Sequence, residues 1–258
     1  MQAPLAPDLA GKRVLVTGAS TGIGAAAAQA FAAAGSRVAV HFNSSRDAAQ
    51  AVVARIRDAG GDVHLVQGDV RTSAVARRVV DEAAEKLGGL DVLVNNAGGL
   101  VKRVPVAQID DAIFDEIVDL NVRSLVASCA AGVPHMRNAG RGNIINVTSI
   151  AARLGGGPGA ALYASSKAFV STFTRGLARE LAGDGIRVNA VSPGVILTPF
   201  HERYSTPQML ETMRATVPMA RLGAADECSG TFLYLASDAL SGYVTGQILE
   251  VNGGQLMP

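Results

Sequence analysis

Seven short runs along the 258-residue chain are almost continuously apolar: 13–17 (RVLVT), 37–42 (RVAVHF), 63–67 (VHLVQ), 90–94 (LDVLV), 143–148 (NIINVT), 187–191 (RVNAV) and 247–251 (QILEV). A strand with one wetted face alternates apolar and polar side chains. Most of these runs do not, so both faces of the sheet they predict are covered. Between the first four runs lie segments of helical length, 23–34, 45–59 and 72–87, rich in Ala and Arg. Each is followed by glycine (Gly35, Gly60 with Gly61, Gly88 with Gly89), the residue best suited to a left-handed helix end. Strands alternating with helices predict βαβ units, hence a doubly wound, seven-stranded parallel sheet with helices on both faces. No linker, low-complexity tract or long repeat interrupts the pattern, so residues 1–258 read as a single α/β domain.

One stretch asks for a separate explanation. From 14 to 36 there is no charged residue, a length that would cross a bilayer. The run contains Gly18, Gly22, Gly24, Gly35, Thr17, Ser20, Thr21, Gln29 and Ser36, and Ala dominates its second half. A spanning helix needs larger apolar residues and fewer breakers. The first ten residues hold no basic segment of the secretory kind. The expectation is a soluble, cytoplasmic protein with no membrane partner. A net charge of +1 argues against neutralising nucleic-acid phosphates. Two cysteines 99 residues apart make no disulfide framework, and the histidines at 41, 64, 135 and 201 lack ligand spacing, so no metal is expected.

The uncharged run makes sense as a phosphate site. Directly after the first strand comes Thr17-Gly18-Ala19-Ser20-Thr21-Gly22-Ile23-Gly24, then a helix. Gly18 permits the tight turn, Gly22 lets backbone approach a pyrophosphate, and Gly24 lets the helix pack closely. The helix N-terminus offers free N–H groups to the anion. A charge in the turn or on the Ala-rich packing face would have to be desolvated.

The spacing TGxxxGIG resembles that of the short-chain dehydrogenase/reductase family, and other motifs follow in order. They are Asn95-Asn96-Ala97-Gly98 after the fourth strand, Asn121 in a helix, and Ser149 after the fifth strand. Tyr163-Ala164-Ser165-Ser166-Lys167, Pro193-Gly194 and Asn252-Gly253-Gly254 complete the series. The resemblance runs from about residue 9 to 254, and implies a single-domain Rossmann fold. One departure stands out: 13 residues separate Ser149 from Tyr163 where the family commonly has 12. The loop 155–159 (GGGPG) accommodates the extra residue; Ser149 is the best match, with Thr148 as the alternative.

Tyr and Lys four apart on a helix share a face. A neighbouring ammonium stabilises the phenolate and lowers the Tyr pKa, so Tyr163 can exchange a proton with a substrate oxygen while a nicotinamide carries hydride. Ser149 would hydrogen-bond that oxygen. The resemblance implies that Lys167 also binds the nicotinamide ribose and that Asn121 holds a water leading protons from Lys167 to solvent. It places Asn96, Ala97 and Gly98 along the cofactor and Asp69 and Val70 on its adenine side. It puts Gly18, Ser20, Thr21, Gly22, Ile23 and Gly24 around the phosphates, and Pro193, Gly194, Val195, Ile196 and Thr198 at the nicotinamide end. An acid at the end of the second strand would accept from the ribose 2′-OH of NAD. Here the segment is Phe42-Asn43-Ser44-Ser45-Arg46, with neutral donors and one cation. NADP(H) is therefore expected over NAD(H), with NAD(H) as the alternative.

Segment 195–220, with Met209, Leu210, Met213 and Met219, matches the family's substrate lid. The implied activity is interconversion of a ketone and a secondary alcohol. The substrate class is a 3-oxoacyl thioester, as in 3-oxoacyl-carrier-protein reductases, or a sugar or polyol. The rival is a non-catalytic, NAD(P)-sensing regulator on the same fold. Apolar edges on the helix after Tyr163, with the resemblance, imply a homotetramer.

Overall fold

The computed structural model describes residues 6–258. Nine strands follow in chain order: β1 (Arg13–Val16), β2 (Arg37–Phe42), β3 (Val63–Gln67), β4 (Val92–Asn95), β5 (Gly142–Val147), β6 (Ile186–Pro193), β7 (Ile196–Leu197), β8 (Gly223–Ala224) and β9 (Ile248–Val251). The helices are α1 (Gly22–Ala33), α2 (Arg46–Asp58), α3 (Ser73–Leu87), α4 (Asp111–Val118), α5 (Ser124–Asn138), α6 (Ala151–Leu154), α7 (Ala161–Leu181), α8 (Pro199–Tyr204), α9 (Pro207–Ala215), α10 (Ser229–Ala236) and α11 (Asp238–Ser241). All seven anticipated strands form one parallel sheet in the order β3-β2-β1-β4-β5-β6-β9. β7 and β8, too short to show a period in the sequence, pair separately.

The apolar runs are continuous because the strands feed two cores. In β1, Val14 and Val16 enter one core while Leu15 enters the other; in β4, Val92 and Val94 oppose Leu93 in the same way. The first core is closed by α1, α2 and α10 through Ala27, Phe31, Val52 and Phe232, and the second by α3, α5 and α7 through Val79, Ala83, Met136 and Val170. Just before the fourth strand, Asp91 bonds Arg13. Its carboxylate accepts from the Arg13 backbone N–H (2.9 Å), Nε (2.8 Å) and Nη2 (2.8 Å), tying the entry ends of β1 and β4.

Between β1 and β4 the chain order reverses, since β1 pairs with β2 on one side and β4 on the other. The turns leaving two such strands diverge to opposite faces and open a crevice at the strands' carboxyl ends. The uncharged run 14–36 thus resolves into β1, its glycine turn and the Ala-faced helix α1. The stretch 111–138 is long and apolar enough by composition to cross a membrane, but 56% of its most apolar window is buried within this fold.

Candidate active site

The crevice is built around the turn after β1. Gly18 (φ +63°) and Gly22 (φ +56°) occupy left-handed backbone that disfavours any side chain. A Cβ on Gly18 would meet the Ala97 Cα at 2.9 Å, and one on Gly22 would meet Thr198 Cβ at 3.2 Å. Gly24 departs from the expected helix-on-strand role. A Cβ there would strike the Asn96 side-chain amide and lie 2.5 Å from the Gly18 carbonyl. The space it leaves lets the Asn96 amide donate to the carbonyls of Thr17 (2.9 Å) and Gly18 (2.9 Å). Thr17 Oγ1 accepts from the N–H groups of Asn96 and Ala97 (3.0 Å each) and donates to the Val94 carbonyl (3.2 Å). At the start of α1, Thr21 is extended, its side chain caps nothing, and no acid lies in the first turn. The helix therefore presents its orphan N–H groups and positive dipole end to the crevice, a cradle that fits a pyrophosphate.

His41, read from the sequence only as a non-ligand, braces this turn. It is buried in β2 between two backbone groups: the Gly18 N–H, 3.0 Å from Nδ1, and the Gly68 carbonyl, 2.9 Å from Nε2. The first can only donate and the second only accept, so the ring is neutral with its proton on Nε2. Burial pushes its pKa below the usual histidine value, with the Gly68 bond and Asp69 opposing. The sequence signal was present: His41 is the one polar residue inside the run VAVHF.

On the other side of the crevice, α7 carries Tyr163 and Lys167 one turn apart. Lys167 is 4% exposed, its Nζ lies 5.9 Å from the Tyr163 ring centroid, and it donates to the Val147 carbonyl (3.0 Å). Ser149 follows β5, accepts from the Ala151 N–H (3.1 Å) and stands near enough to Tyr163 to act on its acidity. The alternative, Thr148, turns away: its hydroxyl donates to the Lys167 carbonyl (2.8 Å) and meets Ser171 (2.8 Å).

The electrostatics differ from the sequence expectation. The Lys167 ammonium was expected to lower the Tyr163 pKa. Instead burial pushes Tyr163 up to about 12, with the Ser149 bond opposing, and burial brings Lys167 down to about 8. Each group is cheaper to bury neutral, and burial is the largest influence on both. Tyr163 thus keeps its proton through neutral pH.

Asn121 sits in a π-helical turn, Asp119–Arg123, between α4 and α5, and is 1% exposed. Such turns rotate one side chain out of the regular ladder. Its amide donates to the carbonyls of Gly99 (2.9 Å) and Ile117 (2.9 Å), while its oxygen accepts from the Gly99 N–H (3.0 Å). These bonds brace the loop at Gly98–Gly99. The Asn121 oxygen and Lys167 Nζ still crowd the same side of Gly98, each 2.9 Å from where a Cβ would stand.

One cavity of about 410 Å³ joins these parts. Gly18, Thr21, Gly22, Ile23, Gly24, Asn96, Gly98, Ser149, Tyr163, Lys167, Pro193, Gly194, Val195, Ile196 and Thr198 line it, as anticipated. Ser20, Ala97 and Asn121 stand behind its wall, and Asn43, Ser44, Ser45 and Arg46 lie exposed at the end of β2. Arg46 Nη2 donates to Gln67 (2.8 Å), and its guanidinium lies 5.5 Å from the Phe42 ring centroid. Asp69 gives its carboxylate to an Arg71 fork, and the Val70 side chain belongs to the core. Segment 195–220 closes the far wall with Phe200, 6.0 Å from the Tyr163 ring, and Met213. Met219 is exposed instead. Arg103, His201 and Gln255 also line the cavity; for Arg103 and Gln255 no motif had marked the position.

A family model described as Enoyl-(Acyl carrier protein) reductase matches residues 18–255. A 3-oxoacyl-[acyl-carrier-protein] reductase of Synechocystis sp. is 39% identical over 243 residues, 94% of this chain and 96% of that one. Among solved structures, the NADH-dependent reductase A1-R′, responsible for alginate metabolism, is 38% identical. It superposes with a TM-score of 0.89, covering 98% of this chain and 100% of that one. A short chain dehydrogenase from Burkholderia cenocepacia in complex with NADP is 34% identical, with a TM-score of 0.89 and coverage of 96% and 98%.

The His41 brace has a measurable pH signature. The folded pKa lies below the unfolded value near 6.5, so on acidification the unfolded chain binds its proton first and stability falls. The slope is at most about 1.4 kcal/mol per pH unit, the limit for one proton. His41→Asn keeps an acceptor for Gly18 without a titrating group. Urea unfolding of both proteins from about pH 7 down to about pH 5 should show a shallower decline in the variant. Parallel declines would remove His41 from this role.

Proposed function

The chain belongs to the short-chain dehydrogenase/reductase family, and on that premise we propose that it interconverts a ketone and a secondary alcohol with NADP(H), Tyr163 exchanging the proton. The observation that carries this reading is a half-buried Tyr163 beside Lys167, lining with Ser149 the same cavity as an uncapped helix N-terminus. The nicotinamide, when bound, supplies or takes the hydride. In reduction, Tyr163 gives its proton to the carbonyl oxygen, and the Ser149 hydroxyl donates to the same oxygen as negative charge develops. Lys167, brought down to about 8 by burial, can exchange a proton near neutral pH and so re-protonate the site. Asn121 holds the Gly98–Gly99 wall against Lys167. A 3-oxoacyl thioester and a sugar or polyol are the substrate classes in view, the first supported by the Synechocystis relative. The non-catalytic alternative has no supporting observation, since the Tyr163, Lys167 and Ser149 set is complete.

The preference for NADP(H) rests on the end of β2. No carboxylate stands at Phe42, and Arg46 is the cation nearest this rim. The relatives include an NADH-dependent enzyme and an NADP complex, so this chain's own residues carry the argument. The homotetramer rests on α7, where Phe169 is 42% exposed and stacks on Phe173 at 5.6 Å, leaving an aromatic face open. A cytoplasmic location suits two free, buried cysteines, Cys129 and Cys228.

Tyr163→Phe should lower kcat by roughly a hundred- to ten-thousand-fold, with NADPH binding retained by fluorescence titration. Near-normal turnover in that variant would remove Tyr163 from the chemistry. Wild-type kcat/KM should favour NADPH over NADH, and Arg46→Ala should reduce that ratio about tenfold; a wild-type preference for NADH contradicts the assignment. Light scattering should give a mass near four chains. A monomeric mass would mean that the α7 face serves another purpose.

A further inference from the structure

The substrate half of the cavity holds a positive charge that no neighbouring group neutralises. Arg103, on the loop between β4 and α4, donates Nε to the Tyr204 carbonyl (2.9 Å) and Nη1 to the Pro158 carbonyl (3.1 Å). Both acceptors are neutral, so they set the direction of the guanidinium fork without cancelling its charge. Elsewhere the protein pairs partly buried arginines with acids: Arg13 with Asp91 at 2.8 Å and Arg187 with Asp238 at 3.0 Å. Among the described residues Arg103 forms no ion pair, and burial alone acts on its basicity, pushing it down. No Asp or Glu lines the cavity; its other ionisable side chains are Tyr163, Lys167 and His201. His201 is pushed below the usual histidine range by burial and by the Arg103 charge. Lys167 is turned away beneath Tyr163, onto the Val147 carbonyl.

A second group on the same wall lacks a partner. Gln255 Nε2 donates to Thr216 Oγ1 (2.8 Å), and the Thr216 hydroxyl donates to the Met213 carbonyl (2.7 Å). The threonine's one proton is committed to Met213, so the atom facing it from Gln255 must be a donor. That fixes the amide orientation. Gln255 Oε1 is then left buried with no donor among the described residues. That oxygen is sealed from the open cavity, as are the unpartnered His64 Nε2 and Asn143 Oδ1 elsewhere, so Arg103 alone bears on the substrate.

We propose that the substrate is a keto acid: its carboxylate pairs with Arg103 while its ketone meets Tyr163 and Ser149. This rests on the carbonyl–alcohol reading above and narrows its substrate. The dinucleotide phosphates do not explain Arg103, because its bonds lead to Tyr204 and Pro158 rather than to the Gly18–Gly24 turn. An alkyl tail does not explain it either, since it would leave the cation unpaired.

The test compares 2-ketogluconate and 5-ketogluconate with their methyl esters and with a neutral thioester, S-acetoacetyl-N-acetylcysteamine, using NADPH and steady-state kinetics. At least one keto acid should exceed its ester by about tenfold or more in kcat/KM, the worth of one charge-assisted contact. Arg103→Met should collapse that ratio, mainly through KM of the acid, and Arg103→Lys should restore part of it. Equal kcat/KM for acid and ester in the wild type overturns the proposal. So does an Arg103→Met protein that loses acid and ester in equal proportion, the behaviour of a simple latch between Tyr204 and Pro158. Turnover confined to the thioester overturns it too while leaving the oxidoreductase reading intact. Failure to reduce any of these carbonyls would count against that broader reading.

Discussion

The hydrogen bonds that join the ends of β1 and β4 are the constraint on which the site depends. Two polar side chains, Thr17 and Asn96, make them: Asn96 bonds two carbonyls of the glycine turn, and Thr17 bonds two N–H groups of the opposite loop. Both side chains stand where the sheet's connectivity reverses, so they bridge loops that would otherwise diverge. Their geometry leaves no room for a Cβ at Gly24 and little at Gly18. His41 completes the bracing from β2 by accepting the Gly18 N–H. With the turn held from two sides, α1 keeps its first N–H groups aimed at the crevice rather than capped by its own side chains.

A second consequence of the layered fold is dielectric. Helix α7 covers the sheet beside the crevice, burying Lys167 and leaving Tyr163 half-buried. Burial raises the phenol to about 12 and lowers the amine to about 8, so at neutral pH the tyrosine keeps its proton and the lysine, still mostly charged, can readily release one. That arrangement suits proton donation: a tyrosine that stays protonated has a proton to give when negative charge develops on a carbonyl oxygen. Arg103 adds a guanidinium without an acidic partner to the part of the cavity where a substrate would lie.

Much of this was legible in the chain itself. Continuous apolar runs such as VLV and LDVLV are required when a strand feeds two cores, and all seven became strands of the main sheet. The glycine turn, Ser149, Tyr163 and Lys167 were legible because their spacing along single elements brings them together. What escaped was tertiary. Arg103 meets Tyr204 across 101 residues and Gln255 meets Thr216 across 39, so no local period announces either. The two-residue strands β7 and β8 are below the length at which alternation is visible. The direction of the Tyr163 shift was missed because spacing reports a neighbouring charge but not the depth of burial. The bonds of Asn121 were missed because a π turn re-aims a side chain that a regular helix would have placed elsewhere.

Amide hydrogen exchange with and without NADPH tests the central claim most directly, because it reads the backbone of the braced turn in the unaltered protein. The account predicts that saturating NADPH slows exchange in the segments covering 18–24 and 96–98, where free N–H groups of the turn and the facing loop would contact the cofactor. Unchanged exchange in both segments under conditions of saturating binding would contradict it, and would place the dinucleotide somewhere other than the crevice between β1 and β4.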